Sequence, residues 1–541
     1  MTTGVLELRG RDQFGLPMLA VVRAAARELS QVVPEGADLG EVCLHLGSFD
    51  TKAVDVLRLR LSSLAASERN YWIGTLYTLM ISADLRRAQA TYFTRPDLAE
   101  AVIDLAIEHG FDLREHSVLD PAAGGAAFLS LIAHRMRAEK LDPADIASRL
   151  NGVEIDVSLA TMSESLIAEQ LEGYAGRRIV SPGDSLRHEF AKSYDLVIAN
   201  PPYGRITAKD LENDHWMKVA HSGHINKYAV FTELCFRLTK PGGLVALVIP
   251  SSFKGGPLYD RMRSFIANRG QILALGTVVS REDVFADVTQ DISVLLVRVG
   301  GSHPPSAAVK FPSFIAGGIA RPVPAGILPG DVSMPWLAPW DSRRDRGGAT
   351  IADYGGHVKA GYFVWNRSQE KFCASTDPGA LPLFWAKNIR AGTPCKPRNR
   401  KNDGTDFVTV PKDSPAIISG PAIMVQRTTN SSQSRRIVAA VVDQNSIAGW
   451  PGFVSENHTI VITGDRADDL ALLASLLNTK AVDERYRAVS GTATVSVKLL
   501  RELDLPWPQS FRDALLNGFD AEEAAVLAYR NGERRPLAEA S

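Results

Sequence analysis

Asn200, Pro201, Pro202 and Tyr203 follow directly on the apolar run "YDLVIA" at residues 194–199. A polar amide at the carboxyl end of a buried strand asks what it binds. The Asn200 side-chain carbonyl is an acceptor, and the two prolines hold the following backbone rigid. Pro202 has no N–H, so its own amide cannot draw the Pro201 carbonyl into a turn bond. Two acceptors, Asn200 Oδ1 and Pro201 C=O, can then face one NH₂ group. Accepting both hydrogens concentrates the nitrogen lone pair toward an electrophile. Tyr203 adds a flat face on which an aromatic ring can stack. Such a site suits methylation of a planar amine, which needs positioning and electrostatics for in-line attack and no covalent nucleophile.

Upstream, the run ending "VLDPAAGGAAFL" (118–129) places Asp120 at a strand end and Gly124 and Gly125 in the loop opening a helix. In open α/β sheets that crevice is where ligands bind, and glycine lets the backbone approach them. Asp120 suits a cationic amine or a ribose hydroxyl. Glu154, in "GVEID", lies about 30 residues beyond the loop, placed to accept both hydroxyls of a ribose. Asp156 reads as the next helix's N-cap. Asp184, in "SPGDSL", suits an exocyclic adenine amine. Any one of these acids alone reads equally as a cap or a turn residue. Three at successive strand ends favour a nucleoside cofactor. No G-x-x-x-x-G-K-[ST] is present, which excludes a P-loop.

The elements that position these groups follow from the pattern. Residues 14–110 carry apolar residues at helical spacing. From about 117, short apolar runs alternate with helical stretches, which predicts an α/β fold with a mostly parallel, doubly wound sheet. "GGIARPVPAGILPGDVSMPWLAPW" is rich in Gly and Pro and reads as a connector. Residues 346–510 mix short strand-like runs with one helix, as in a separate α+β domain. The expected division is therefore 1–90 helical, 91–300 catalytic, 301–345 connector, 346–510 a second domain, and 511–541 a helix and tail. With 541 residues, 45% apolar and 22% charged, the chain is an ordinary multi-domain globular protein. It shows no secretory signal and no apolar stretch long enough to span a bilayer, so a cytoplasmic, membrane-free protein is expected. Cys43, Cys235, Cys373 and Cys395 are scattered and argue against a disulfide framework or a zinc site; no metal is expected. Sixty basic against 61 acidic residues leave a net charge of −1, so a polyanionic partner must meet a local basic face.

"NPPY" after an apolar strand, with "DPAAGGAAFL" upstream, resembles the S-adenosylmethionine-dependent adenine-N6 DNA methyltransferases of restriction–modification systems. The order, with "YFTRPDLAEAVIDLA" (92–106) before the glycine loop, is similar to the gamma class of type II enzymes. The resemblance runs from about "RNYWIGTLY" to "LRELDLPWP" and includes "VWNRSQEK", "VQRTTNSSQSRR" and "SENHTIVI". It implies a Rossmann-like class I methyltransferase fold, with residues 346–510 as a DNA target-recognition domain. It further implies that Phe93, Thr94, Asp120, Ala122 and Gly124 contact the methionine end of S-adenosylmethionine, Glu154 its ribose and Asp184 its adenine. Asn200, Pro201 and Pro202 would hold the target N6, with Tyr203 and Phe285 stacking on the extruded base. The family's common pattern is D-P-A-C-G-S-G-x-F-L. Here Ala123, Gly125 and Ala126 replace Cys, Ser and the second Gly, and Arg95 stands where the family has Pro.

An adenine inside a duplex must be flipped out to reach such a crevice. The segment 386–402 offers Lys387, Arg390, Lys396, Arg398, Arg400 and Lys401 without an acid, a candidate phosphate contact whose alternative is a solvated loop. In 425–436, Gln426, Arg427, Gln433, Arg435 and Arg436 include side chains that pair bidentately with base edges. Asn366, Arg367 and the "SENH" stretch (455–458) are either contacts or domain staples. The expected partners are double-stranded DNA and a separately encoded restriction endonuclease, with the chain a monomer. The competing readings are a non-catalytic or partner-dependent DNA-binding subunit, and a methyltransferase acting on RNA or a protein amide. Residues 1–90 show no acidic–x–Lys nuclease constellation, which discounts a single-chain restriction enzyme.

Overall fold

The computed structural model describes residues 17–34, 37–80, 93–278, 292–315, 318–320, 322–336, 348–396, 406–427, 435–489 and 495–531. They fall into two compact units. One comprises Met1–Phe253 with Pro257–Ser333, the other Lys254–Gly256 with Met334–Ser541. Among the described residues no helix is long and apolar enough to cross a membrane.

The first unit begins with four helices, α1 (Met18–Leu29), α2 (Leu39–Ser48), α3 (Lys52–Ser62) and α4 (Ala66–Met80). Asp38 starts α2 with a reciprocal capping box to Glu41. Their apolar faces close on one another in a core that also takes in Phe93 and Leu159. The four helices thus pack into the core of the first unit. Short amphipathic helices bury their stripes against whatever apolar surface adjoins them, here the helices behind the glycine loop.

The sheet is built from β1 (Val118–Asp120), β2 (Leu150–Glu154), β3 (Val180–Pro182), β4 (Tyr194–Ala199), β5 (Thr239–Pro250), β6 (Gly270–Val278) and β7 (Ile292–Val299). Its order is β6-β7-β5-β4-β1-β2-β3. Strands β3, β2, β1, β4 and β5 are parallel, whereas β7 runs antiparallel to both β5 and β6. The central runs are buried on both faces, as continuous apolar sequence requires. The chain reverses direction across the sheet between β1 and β4, so a crevice opens at their carboxyl ends. Helices α5 (Pro96–Glu108), α6 (Ala127–Ala138), α7 (Pro143–Arg149), α8 (Val157–Gln170), α9 (Lys227–Leu238) and α10 (Asp260–Arg269) accompany the strands. Pro96 opens α5, where its missing N–H costs nothing.

The stretch 301–345, expected as an irregular connector, adds four short strands to this sheet instead. These are β8 (Ala308–Lys310), β9 (Ser313–Ile315), β10 (Gly318–Ile319) and β11 (Ala325–Ile327). Strands β8 and β9 pair with β6, and β10 and β11 pair back on them. Gly and Pro beside such strands suit a sheet margin, where few ladder bonds are required.

The second unit holds an antiparallel sheet of β12 (His357–Ala360), β15 (Ala422–Gln426), β16 (Ala439–Val442) and β18 (Thr459–Thr463). A smaller sheet joins β13 (Ala380–Phe384), β14 (Phe407–Thr409) and β17 (Val454–Ser455). Five helices follow: α11 (Ala467–Leu477), α12 (Lys480–Val489), α13 (Val497–Arg501), α14 (Pro508–Leu516) and α15 (Ala521–Asn531). Phe511, Ala524 and Ala528 share one core with Ile423, Ile460 and Leu473. Residues 511–531 therefore belong to this unit's core and are not a peripheral helix.

Candidate active site

Four strand ends of the first unit supply the groups. After β1 the loop turns through Gly124 (φ +51°) and Ala126 (φ +53°) before α6. Glycine takes that left-handed geometry freely, whereas an alanine there costs about 1–2 kcal/mol. Gly125 serves a different end: a Cβ on it would stand 2.8 Å from the Phe93 ring. The sequence thus places its remaining glycine where an aromatic ring must lie on the backbone and leaves the strained position to Ala126.

Asp120 is fully buried, and one carboxylate oxygen accepts the Ala122 amide at 3.0 Å. Burial pushes its carboxyl up to about 8; the Ala122 bond opposes the shift and nearby Glu154 adds to it. Glu154 accepts the Gly124 amide at 2.8 Å with one oxygen and the Asp156 amide at 3.0 Å with the other. Its carboxyl is likewise raised by burial, against the pull of those amides. Each Glu154 oxygen keeps a further lone pair for a ligand hydroxyl. Asp156 caps α8 through the Ser158 and Leu159 amides, as its position foretold. Asp184 is half-exposed, accepts the Leu186 amide at 2.9 Å and lies 3.8 Å from the Arg187 guanidinium.

Two supports of the loop carried no local signal. The Ser163 hydroxyl donates to the Gly124 carbonyl at 2.5 Å, and Ser185 donates to Pro121 at the same distance. Tyr77, from α4, points its hydroxyl at Asp156 Oδ2 across 3.4 Å. Burial, with Asp156 beside it, pushes that phenol up to about 12. These contacts span many residues of sequence and are visible only once the chain is folded.

Asn200 stands at the end of β4. Its Nδ2 donates to Thr94 Oγ1 at 3.0 Å, and its Oδ1 accepts the Tyr203 hydroxyl at 2.7 Å. The amide's orientation is thereby fixed, with its oxygen toward Tyr203. Pro201 is buried and Pro202 half-buried. Tyr203 departs from the expectation of an open stacking platform. It is 8% exposed, its hydroxyl also reaches the Val248 carbonyl at 3.3 Å, and its ring stands edge-on to Tyr228 at 6.5 Å. Its ring finds apolar neighbours and its hydroxyl two acceptors, which outweighs leaving an aromatic face in water. Tyr228 stacks in turn on the half-buried Tyr259, 5.9 Å away. Phe285, the second expected stacking residue, lies outside the described residues.

In the second unit, Lys387 and Arg390 are exposed. Arg398 and Arg400 lie outside the described residues, as do Lys401 and Gln433. Four expected base readers are engaged by the fold. Arg436 is buried, and burial lowers its basicity; its amide bonds to Asp483. Arg435 pairs with Glu522 at 2.9 Å. Gln426 is buried with its amide on the Ala386 and Ile389 carbonyls. Arg427 is half-buried and donates to the Asn457 carbonyl at 3.0 Å.

The sheet order places the glycine loop and the Asn200–Tyr203 corner along the carboxyl edge of a Rossmann-like α/β sheet. Residues 126–285 match the model of the Eco57I restriction-modification methylase family. The type II methyltransferase M.BsuBI of Bacillus subtilis is 22% identical over 424 residues, covering 73% of this chain and 83% of its own. M.PstI of Providencia stuartii is 22% identical over 349 residues, 61% of this chain and 68% of its own. Among solved structures, the Type IIL restriction-modification enzyme MmeI in complex with DNA aligns with a TM-score of 0.48 at 11% identity. That alignment covers 90% of this chain and 81% of MmeI.

Proposed function

We propose that the protein is a site-specific DNA methyltransferase that transfers a methyl group from S-adenosylmethionine to N6 of a flipped adenine, within a restriction–modification system. The observation that carries this reading is Asn200 at the carboxyl end of β4, its amide held by Thr94 and Tyr203, beside the loop of β1. The match to type II methyltransferases over most of the chain supports DNA as the substrate.

The residues present fit the cofactor. Asp120 would face its ammonium group, Glu154 its ribose hydroxyls and Asp184 its adenine, while the Gly124–Gly125 backbone allows close approach. When bound, the cofactor supplies an electrophilic methyl carbon. The chain's own work is to accept both hydrogens of the target amine, so that its lone pair points at that carbon, and to exclude water from the crevice. Thr94 holds the Asn200 amide in register through Nδ2. Lys387 and Arg390 would neutralise phosphates of the duplex. A nuclease encoded separately would be the partner activity, and the methyltransferase would act as a monomer.

The reading is tested by incubating the protein with labelled S-adenosylmethionine and unmethylated duplex DNA, then hydrolysing the DNA to nucleosides. N6-methyladenine is the expected product. N4-methylcytosine would keep the amine chemistry and overturn the base assignment. Transfer to RNA alone would favour the alternative suggested by a tRNA adenine-N6 methyltransferase of Aeromonas salmonicida, 27% identical over 136 residues, 25% of this chain.

A further inference from the structure

Residues 361–367 of the second unit run against the turn 455–459. The Tyr362 and Phe363 amides both donate to the Ser455 carbonyl, at 3.0 and 2.9 Å, and the Asn457 amide donates back to Phe363 at 2.9 Å. Gly361 permits the approach, because a Cβ there would stand 1.9 Å from the Glu456 carbonyl oxygen. Phe363 is buried and anchors the segment. Tyr362 is 60% and Trp365 41% exposed, with Asn366 and Arg367 exposed beside them. Two large rings held outward on a pinned backbone contribute little to folding and suit a partner's surface.

The same turn holds a second, independent feature. Glu456 is 1% exposed, and its carboxylate accepts the His458 amide at 2.8 Å while facing His458 Nδ1 at 2.6 Å. An ionised carboxylate makes Nδ1 the donor, which leaves Nε2 as the outward atom of a side chain that is 57% exposed. Burying a carboxylate is costly, and here it orients an imidazole that the fold does not otherwise need. Arg427 is tied to the turn as well, its amide on the His458 carbonyl and its Nη1 on the Asn457 carbonyl, both at 3.0 Å.

This surface continues into the basic segment. Phe363 meets Phe372 edge-on at 5.6 Å, Phe372 stacks on Trp385 at 6.5 Å, and the Lys387 ammonium lies 5.2 Å over the Trp385 ring. Arg367, Lys371, Lys387, Arg390 and Lys396 are exposed along 361–372 and 386–396, against Glu370 as the acid of those two stretches. The charge is complementary to a polyanion, and the oriented imidazole and rings add directional contacts that a bare phosphate would not require.

We propose that His458, oriented by Glu456, contacts a base edge of duplex DNA, with Tyr362 and Trp365 packing beside it on the same duplex. The inference rests on the DNA methyltransferase reading and adds sequence-reading residues to it. His458 Nε2 accepts from the exocyclic amine of adenine or cytosine when neutral and donates to guanine when protonated. Glu456 is the positioning residue.

The test uses full-length protein and a duplex carrying the site mapped for wild type on unmethylated genomic DNA. Tyr362→Ala and Trp365→Ala change exposed side chains, so melting temperature and S-adenosylmethionine binding stay as in wild type. His458→Ala leaves the buried Glu456 carboxylate one partner short and lowers the melting temperature while cofactor binding is kept. The expected result is a loss of about tenfold or more in kcat/KM for DNA, carried by KM, for His458→Ala, with a mapped motif relaxed at one position. Tyr362→Ala and Trp365→Ala raise KM without relaxing the motif. Glu456→Gln raises KM in wild type and adds nothing in a His458→Ala background, a non-additivity that a purely structural role would not give. Wild-type kcat/KM in all three alanine variants overturns the inference and leaves the function reading standing. Absence of transfer to DNA by the wild type overturns both.

Discussion

The Tyr203 hydroxyl donates a hydrogen bond to Asn200 Oδ1 across 2.7 Å, on the acceptor that a target amine would use. The free enzyme thus keeps this acceptor satisfied by its own side chain. An incoming amine directed at the same lone pair displaces the hydroxyl, which retains the Val248 carbonyl, 3.3 Å away, as its alternative partner. Tyr203→Phe removes the competing donor while keeping the ring. Its KM for DNA is expected to fall roughly 2- to 10-fold, the worth of one net hydrogen bond, in steady-state methyl-transfer assays. An unchanged or higher KM would show that the hydroxyl does not compete with the substrate.

Thr94 governs the other half of the same amide. Thr94→Val is close to isosteric but withdraws the acceptor 3.0 Å from Asn200 Nδ2. The amide can then rotate and present its NH₂ where its oxygen is required. We expect kcat to drop on the order of tenfold with little change in cofactor binding, measured by calorimetry beside single-turnover rates.

With Asp120 facing the cofactor's ammonium group, as proposed, cofactor binding is expected to depend on pH. Buried with a pKa raised to about 8, it is neutral at pH 7 before the cofactor arrives. A cationic ligand favours the carboxylate, so binding below that pH releases a proton. Affinity for S-adenosylmethionine should therefore rise with pH and level off above about 8. Asp120→Asn abolishes the slope and weakens binding. Stability moves the other way. The folded pKa lies above the unfolded value of about 4, so the folded state holds its proton more tightly and loses stability as pH rises from there through 8. Asp120→Asn should accordingly melt higher than wild type at pH 8.5 and bind the cofactor less well, a trade-off common at functional sites.

The glycine loop allows a paired test. Gly125→Ala drives a methyl into the Phe93 ring, 2.8 Å from its Cβ position, and should cost about 1–3 kcal/mol together with some cofactor affinity. Ala126→Gly relieves the left-handed strain but forfeits a buried methyl, terms of about 1–2 and about 0.8 kcal/mol. Thermal unfolding of that variant should stay within about 1 kcal/mol of wild type. A large destabilisation by Ala126→Gly would show that the methyl packs more than it strains.

The parts legible in the sequence were those with a local cause. The βα alternation, the acids at successive strand ends, the Asp156 cap and the Asn200 corner all follow from spacing and side-chain chemistry over a few residues. Strands β8–β11 were not legible, because strands of two or three residues exist only by pairing, β8 and β9 with β6 at long range and β10 and β11 on those two. The antiparallel course of β7 is equally silent, since an apolar run carries no direction. Tyr203 read as a stacking face because its four-residue context cannot show the Val248 carbonyl or the Tyr228 ring. Arg435 and Arg436 read as DNA contacts because Glu522 and Asp483, their partners, lie far along the chain.

The central claim is that Asn200 holds the amine that is methylated. Wild type and Asn200→Ala are compared for label transfer from S-adenosylmethionine to unmethylated genomic DNA, with cofactor binding measured on both. The account predicts N6-methyladenine at one motif for wild type. For Asn200→Ala it predicts a rate lower by at least about 100-fold, the order seen on removal of a single preorganised hydrogen-bonding group, with cofactor affinity preserved. Transfer by Asn200→Ala at the wild-type rate would contradict it.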